Sequence, residues 1–172
     1  MANRDNPNGF TPWGRTLGGG ELELHFYQKD ADHATAIFPG DLLTREDDGF
    51  LSRTITPGTT SMIGVALDGG AALTLTDHMV ADQRDMIFVA QSDDATLTAA
   101  ELGLKCNTVL GTGSAALNRS RDEIDGSESA VTATYDVHLL RLARIANNAH
   151  GAYARFEVLI NKHLLNKGVV GV

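Results

Sequence analysis

Short strand-like runs, each stopped by a turn-forming cluster roughly every eight to twelve residues, most constrain what this chain can become. Ala36-Ile37-Phe38 runs into Pro39-Gly40-Asp41, and Leu42-Leu43-Thr44 runs toward Glu46-Asp47-Asp48-Gly49. Residues 50–56 stop at Pro57-Gly58, and residues 61–67 stop at Asp68-Gly69-Gly70. Proline removes a backbone donor, and glycine and the short acids adopt tight turns, so no run is long enough for a stable helix. The cadence predicts an all-β sandwich or barrel.

Further strands are expected at residues 21–26, 73–76 and 86–90, and again at 131–135, 137–145 and 152–160. Alternation places Ala154, Phe156, Val158 and Ile160 on one face of the last of these. Residues 137–145 also admit a helix, with Leu139, Leu142 and Ile145 spaced by three, but Val137 and the all-β setting favour a strand. Residues 97–104 read as one short helical turn capped by Thr96 or Thr98 and ended by Gly103. The polar stretch 111–125 reads as a surface loop, and the apolar tail 168–172 as pinned in or near the fold.

The first twenty residues differ. Pro7, Gly9, Pro12 and Gly14 interrupt any period, Gly18, Gly19 and Gly20 close the segment, and Phe10 and the chain's single tryptophan, Trp13, sit among them. Such a segment is expected to be an extended arm, residues 1–20, ahead of a single β domain, residues 21–172. Anchors without a core of their own point to docking on something else. The alternatives are a disordered terminus or a Trp13 folded back on its own domain. The segment lacks the basic start and apolar run of a secretory signal, and no stretch approaches the ~18 apolar residues of a membrane-spanning helix. Synthesis in the cytoplasm and no membrane partner are therefore expected.

The chain has 172 residues, 42% of them apolar, enough for one core. Its one cysteine, Cys106, forms no internal disulfide and reads as a small buried hydrophobe. The net charge of −8 is uneven: residues 1–20 carry +1 and residues 137–172 carry +4, leaving −13 for residues 21–136. An acidic body repels phosphate backbones, so direct nucleic-acid binding is disfavoured. The charge serves solubility, or an acidic face set against a basic partner.

No chemical signature stands out. The histidines at 25, 33, 78, 138, 150 and 163 form no metal-binding spacing. Arg121-Asp122-Glu123-Ile124-Asp125-Gly126 lacks the alternating ligands of a calcium loop, and Gly111-Thr112-Gly113-Ser114 lacks the lysine of a phosphate loop. No Gly-x-Ser-x-Gly is present, although a Ser–His–Asp set assembles in space and is not excluded by spacing. The expectation is no enzyme, no metal and no cofactor.

Three stretches carry a resemblance: Gly9-Phe10-Thr11-Pro12-Trp13-Gly14, the segment AIFPGDLLTR at 36–45, and the close AYARFEVLINKHLLNKGVVGV at 152–172. Together they resemble the capsid decoration (head-stabilising, or cement) proteins of tailed phages. The resemblance implies a β-tulip or jelly-roll-like fold with at most one or two short helices. It implies a virion structural protein on the outer capsid surface, clamping adjacent major capsid protein subunits as a homotrimer, or else a homodimer. It places capsid contacts on Phe10, Thr11, Pro12, Trp13 and Arg15, with Gly18, Gly19 and Gly20 as a hinge. The alternative is a small ligand- or glycan-binding β-sandwich of the adhesion or receptor-binding type, which the scarcity of aromatics (6%) disfavours.

Overall fold

The turn-punctuated runs become eleven strands in the computed structural model, which describes residues 3–16, 24–53 and 55–166. Six form one antiparallel sheet in the spatial order β1 (Thr11–Arg15), β7 (Met86–Gln91), β11 (Arg155–Ile160), β10 (Val137–Leu142), β8 (Lys105–Val109) and β9 (Glu123–Ala130). The other five close into a barrel: β2 (His25–Lys29), β4 (Leu51–Ser52), β3 (Leu42–Arg45), β5 (Gly64–Ala66) and β6 (Thr76–Ala81). The protein is all-β. Its one described helical element is the 3-10 turn Ala99–Glu101, capped by Thr98, whose hydroxyl accepts from Ala100 while Glu101 reaches back to the Thr98 amide.

Neighbouring residues on the barrel strands divide between two cores. Leu42, Val65 and Ala81 join Phe88, Leu139 and Phe156 in the larger cluster, between barrel and sheet. Leu43, Ala66 and Val80 join Ile37, Leu51 and Ile63 in the smaller one, within the barrel. These strands are therefore apolar on both faces, which explains their continuous rather than alternating sequence.

Buried carboxylates fasten the two units. Asp136 accepts from Gly58 N–H at 2.9 Å on the barrel side, and from the Thr108 amide and hydroxyl at 3.1 and 2.9 Å on the sheet side. Asp122 accepts from the amides of Leu42 at 3.1 Å and Gly111 at 3.2 Å. Arg53 lies between Asp122, 2.6 Å away, and Asp41, 2.8 Å away, and both carboxylates are fully buried. Beyond β11 the chain straps the barrel: Met62 N–H donates to Lys162 O, and Leu164 N–H to Met62 O, each at 2.8 Å.

Residues 137–142 are a strand, as expected, and Ala154, Phe156, Val158 and Ile160 are all buried. Three expectations are corrected. Residues 131–135 form turns, because the Thr132 hydroxyl bonds the Thr134 hydroxyl at 2.9 Å and its amide at 3.3 Å, competing with a ladder. The strand expected at 73–76 lies instead at Thr76–Ala81, because Leu73 adopts a left-handed φ of 53°. The expected loop 111–125 ends early, since β9 begins at Glu123. Its polar, acidic residues are those of an edge strand, not a loop. The tail 168–172 lies outside the described residues.

Candidate docking surface at the first strand

The segment expected to stand apart is woven into the body. The Asn3 amide donates to the carbonyls of Ala149 at 2.8 Å and Ala152 at 2.9 Å, and Asn6 N–H donates to Gln91 Oε1 at 3.3 Å. Gly9 has a φ of +64° and lies so close to the Pro39–Asp41 turn that a Cβ would sit 2.4 Å from Gly40 O. Phe10 is 0% exposed and belongs to the larger core. β1 then pairs with β7. The picture of an arm without a core, separate from a domain at 21–172, is therefore corrected for residues 3–16. Burial of Phe10 and strand pairing outweigh the entropy of a free tail.

The five residues assigned to capsid contact separate by environment. Phe10 is unavailable, being core. Arg15 is held by Asp85, with Nε 3.0 and 3.1 Å from the two carboxylate oxygens and Nη2 at 2.9 Å, so its charge is engaged within the chain. Thr11 and Trp13 are exposed and Pro12 is half-buried. Gly18, Gly19 and Gly20 lie outside the described residues.

Trp13 owes its position to the backbone. Pro12 pairs with Phe88 and Gly14 with Ile87, so Trp13 is the extra residue of a β-bulge, and it is 54% exposed. Bulges re-aim a side chain and blunt an edge against indiscriminate pairing, as does Pro12, which has no N–H to offer. The surface thus presents one large aromatic on an edge strand that is protected in its backbone.

Comparisons with protein-family models, curated proteins and solved structures return no match.

Elsewhere the polar groups brace the fold. Thr76 Oγ1, His78 and Asp68 are aligned as a hydroxyl–imidazole–carboxylate relay, at 3.0 Å and 2.8 Å. The imidazole, however, is 1% exposed and packs beneath Gly70, so the relay holds the 68–70 turn against β6. Asp82 is buried and takes the hydroxyl of Tyr27 and Nδ1 of His25, 2.9 Å away. Burial and the bond to Asp82 push the Tyr27 hydroxyl up to about 12. His25 and Asp82 border a cleft of about 490 Å³ with Arg15, Gln83 and Leu165. Burial also pushes the Cys106 thiol up to about 12, which keeps it protonated and unreactive. Among the described residues no group of three or more His, Cys, Asp or Glu could hold a metal ion, and no helix is long and apolar enough to cross a membrane.

Sequence reasoning missed Phe26, the second residue of β2, which is 70% exposed. The signal was present: Phe26 and Tyr27 are adjacent in a strand, so their rings point to opposite faces. It also missed the buried carboxylates, because an aspartate in a turn reads as solvated until its partners across the fold are known.

Proposed function

We propose that this protein is a capsid decoration protein: a virion structural protein that binds the outer surface of an icosahedral phage shell and clamps adjacent major capsid protein subunits. It acts by binding, without turnover, cofactor or direct contact with nucleic acid, as a homotrimer or homodimer. The observation that carries this reading is Trp13, a half-exposed tryptophan displayed by a bulge on an edge strand. Tryptophans are the residues that most often dominate interface energetics. The strand that carries it is already paired in the sheet, so little order is lost on docking. Residues 11–15 are already paired with β7, so the contact is made through side chains and not by adding a free strand to the shell. Several modest contacts per oligomer multiply through avidity, by ~10²–10⁴-fold where the geometry permits.

The test is co-sedimentation with expanded, undecorated shells of the phage that carries the gene. The intact protein is expected to saturate the shells, and Trp13→Ala to lose at least about tenfold in affinity, in line with hot-spot truncations. Saturation by Trp13→Ala at the same concentration as the parent would sink the assignment of Trp13. Failure of the intact protein to bind would sink the function.

A further inference from the structure

The outward face of the β2–β6 pair is a second apolar surface that the first does not explain. Phe26 pairs with Met79, and Gln28 with Asp77, so these four side chains share one side of the ladder. The Gln28 amide donates to Asp77 across it at 3.3 Å. The opposite side carries Tyr27 and Val80 into the barrel core. Phe26 is 70% exposed, Met79 is half-buried, and Leu75, two residues before Asp77, is 54% exposed. Within β6 the face extends about 7 Å from Asp77 to Met79.

Its surroundings are acidic. Residues 24–82 hold nine acidic side chains against Lys29, Arg45 and Arg53, which makes −6 of the chain's −8. The excess remains at the surface: Lys29 and most of Arg53 are buried, but so are Asp41 and Asp82, so the balance among the accessible side chains is unchanged. Arg45 is bound to Gly49 O and stands over the Tyr27 ring, on the other side of β2 from Phe26. Asp77 lies within the face, and Asp32 is exposed beyond the end of β2. Self-apposition would set two copies of the same acidic surface against each other, so like charges oppose self-pairing.

We propose that the Phe26–Met79 face docks on a basic surface of the protein partner that offers an apolar recess for Phe26. This rests on the capsid-binding reading and adds a second, electrostatically steered contact to Trp13. Phe26 supplies the buried anchor and the acidic rim supplies orientation, so association through this face weakens as salt screens the charges.

The experiment is the shell co-sedimentation at low and at high salt, with Phe26→Ser and Asp77→Lys beside the intact protein and Trp13→Ala. Both side chains are exposed, so both variants should keep the parent's thermal midpoint. Phe26→Ser is expected to bind at least tenfold more weakly at either salt. Asp77→Lys is expected to bind more weakly at low salt and to lose much of the salt dependence. Parent-like binding by either variant overturns this inference and leaves the capsid reading to Trp13. Absence of binding by the intact protein overturns both.

Discussion

The backbone N–H of Phe10 donates to the carbonyl of Gly40 at 2.9 Å, joining the segment before β1 to the turn before β3. Both flanking glycines have positive φ, +64° at Gly9 and +93° at Gly40. Each faces the other's backbone: a Cβ on Gly40 would lie 2.7 Å from Asn8 O. Two stretches thirty residues apart in sequence therefore form one junction, and sheet and barrel are locked there.

Gly9→Ala should be among the most damaging small changes. The new methyl would meet Gly40 O at 2.4 Å and Ser120 Cβ at 2.5 Å, on a backbone that alanine resists. A loss of about 2–4 kcal/mol is expected from strain and overpacking. Gly14→Ala, with no atom within 4 Å of its Cβ, should stay within about 0.5 kcal/mol of the parent. Urea midpoints of the two variants check the contrast, and equal midpoints would refute the junction.

Phe10 and Trp13 should separate stability from binding. Phe10→Ala empties a fully buried site and is expected to cost about 3–5 kcal/mol. Trp13→Ala should cost about 1 kcal/mol or less, its ring being half in solvent. Removal of residues 1–16 should abolish cooperative unfolding, read by circular dichroism. A truncated chain that melts like the parent would restore the picture of an independent arm.

Trp13 is the chain's single tryptophan, so intrinsic fluorescence reports on it alone. Emission of the free protein should be solvent-like and readily quenched by acrylamide. On shells it should shift to the blue and resist quenching. Unchanged quenching in a bound state would show that Trp13 faces away from the partner.

Acid should weaken the fold through His163. Its imidazole is 1% exposed and accepts the Leu165 N–H at Nδ1, so it is held neutral, and burial depresses its pKa to about 4. The unfolded chain takes up this proton first, near pH 6.5, so stability falls from there down to about pH 4. The full loss is roughly 3 kcal/mol. The stability difference between the parent and His163→Gln, measured by denaturant at several pH values, should shrink across that window. A constant difference would show that His163 does not titrate with folding.

Asp122 should act in the opposite sense. Burial, with Asp41 close by, raises its carboxyl to about 7 despite Arg53. A folded pKa above the unfolded one penalises the native state as pH climbs from the usual carboxylate range through about 7. Asp122→Asn should therefore gain on the parent between pH 5 and pH 8, whatever it loses in its contact with Arg53. Parallel stability curves would show the carboxylate to be ionised throughout.

The fold class was legible because turn chemistry is local: Pro39-Gly40, Pro57-Gly58 and Asp68-Gly69-Gly70 end runs wherever they occur. The strand 137–142 was legible from Val137 and its setting. β9 was not, because an edge strand with Glu123, Asp125 and Glu128 has no apolar alternation to read. Of the candidate surface, Trp13 was legible as a lone aromatic among turn residues. That Phe10, three residues earlier, points inward was not, since the core it enters comes from residues 42–160.

The sequence by itself determined that the chain is built from short strands, that one cysteine carries no cross-link, and that the negative charge gathers in the body. These are properties of neighbours a few residues apart. Only the tertiary structure decided which aromatics face solvent, which aspartates are buried and that residues 3–16 belong to the body. Each of those depends on partners far away in the chain: Gly40 for Phe10, Phe88 and Ile87 for the bulge at Trp13, and Arg53 for Asp122. Burial and hydrogen bonding across the fold are long-range, and no local pattern encodes them.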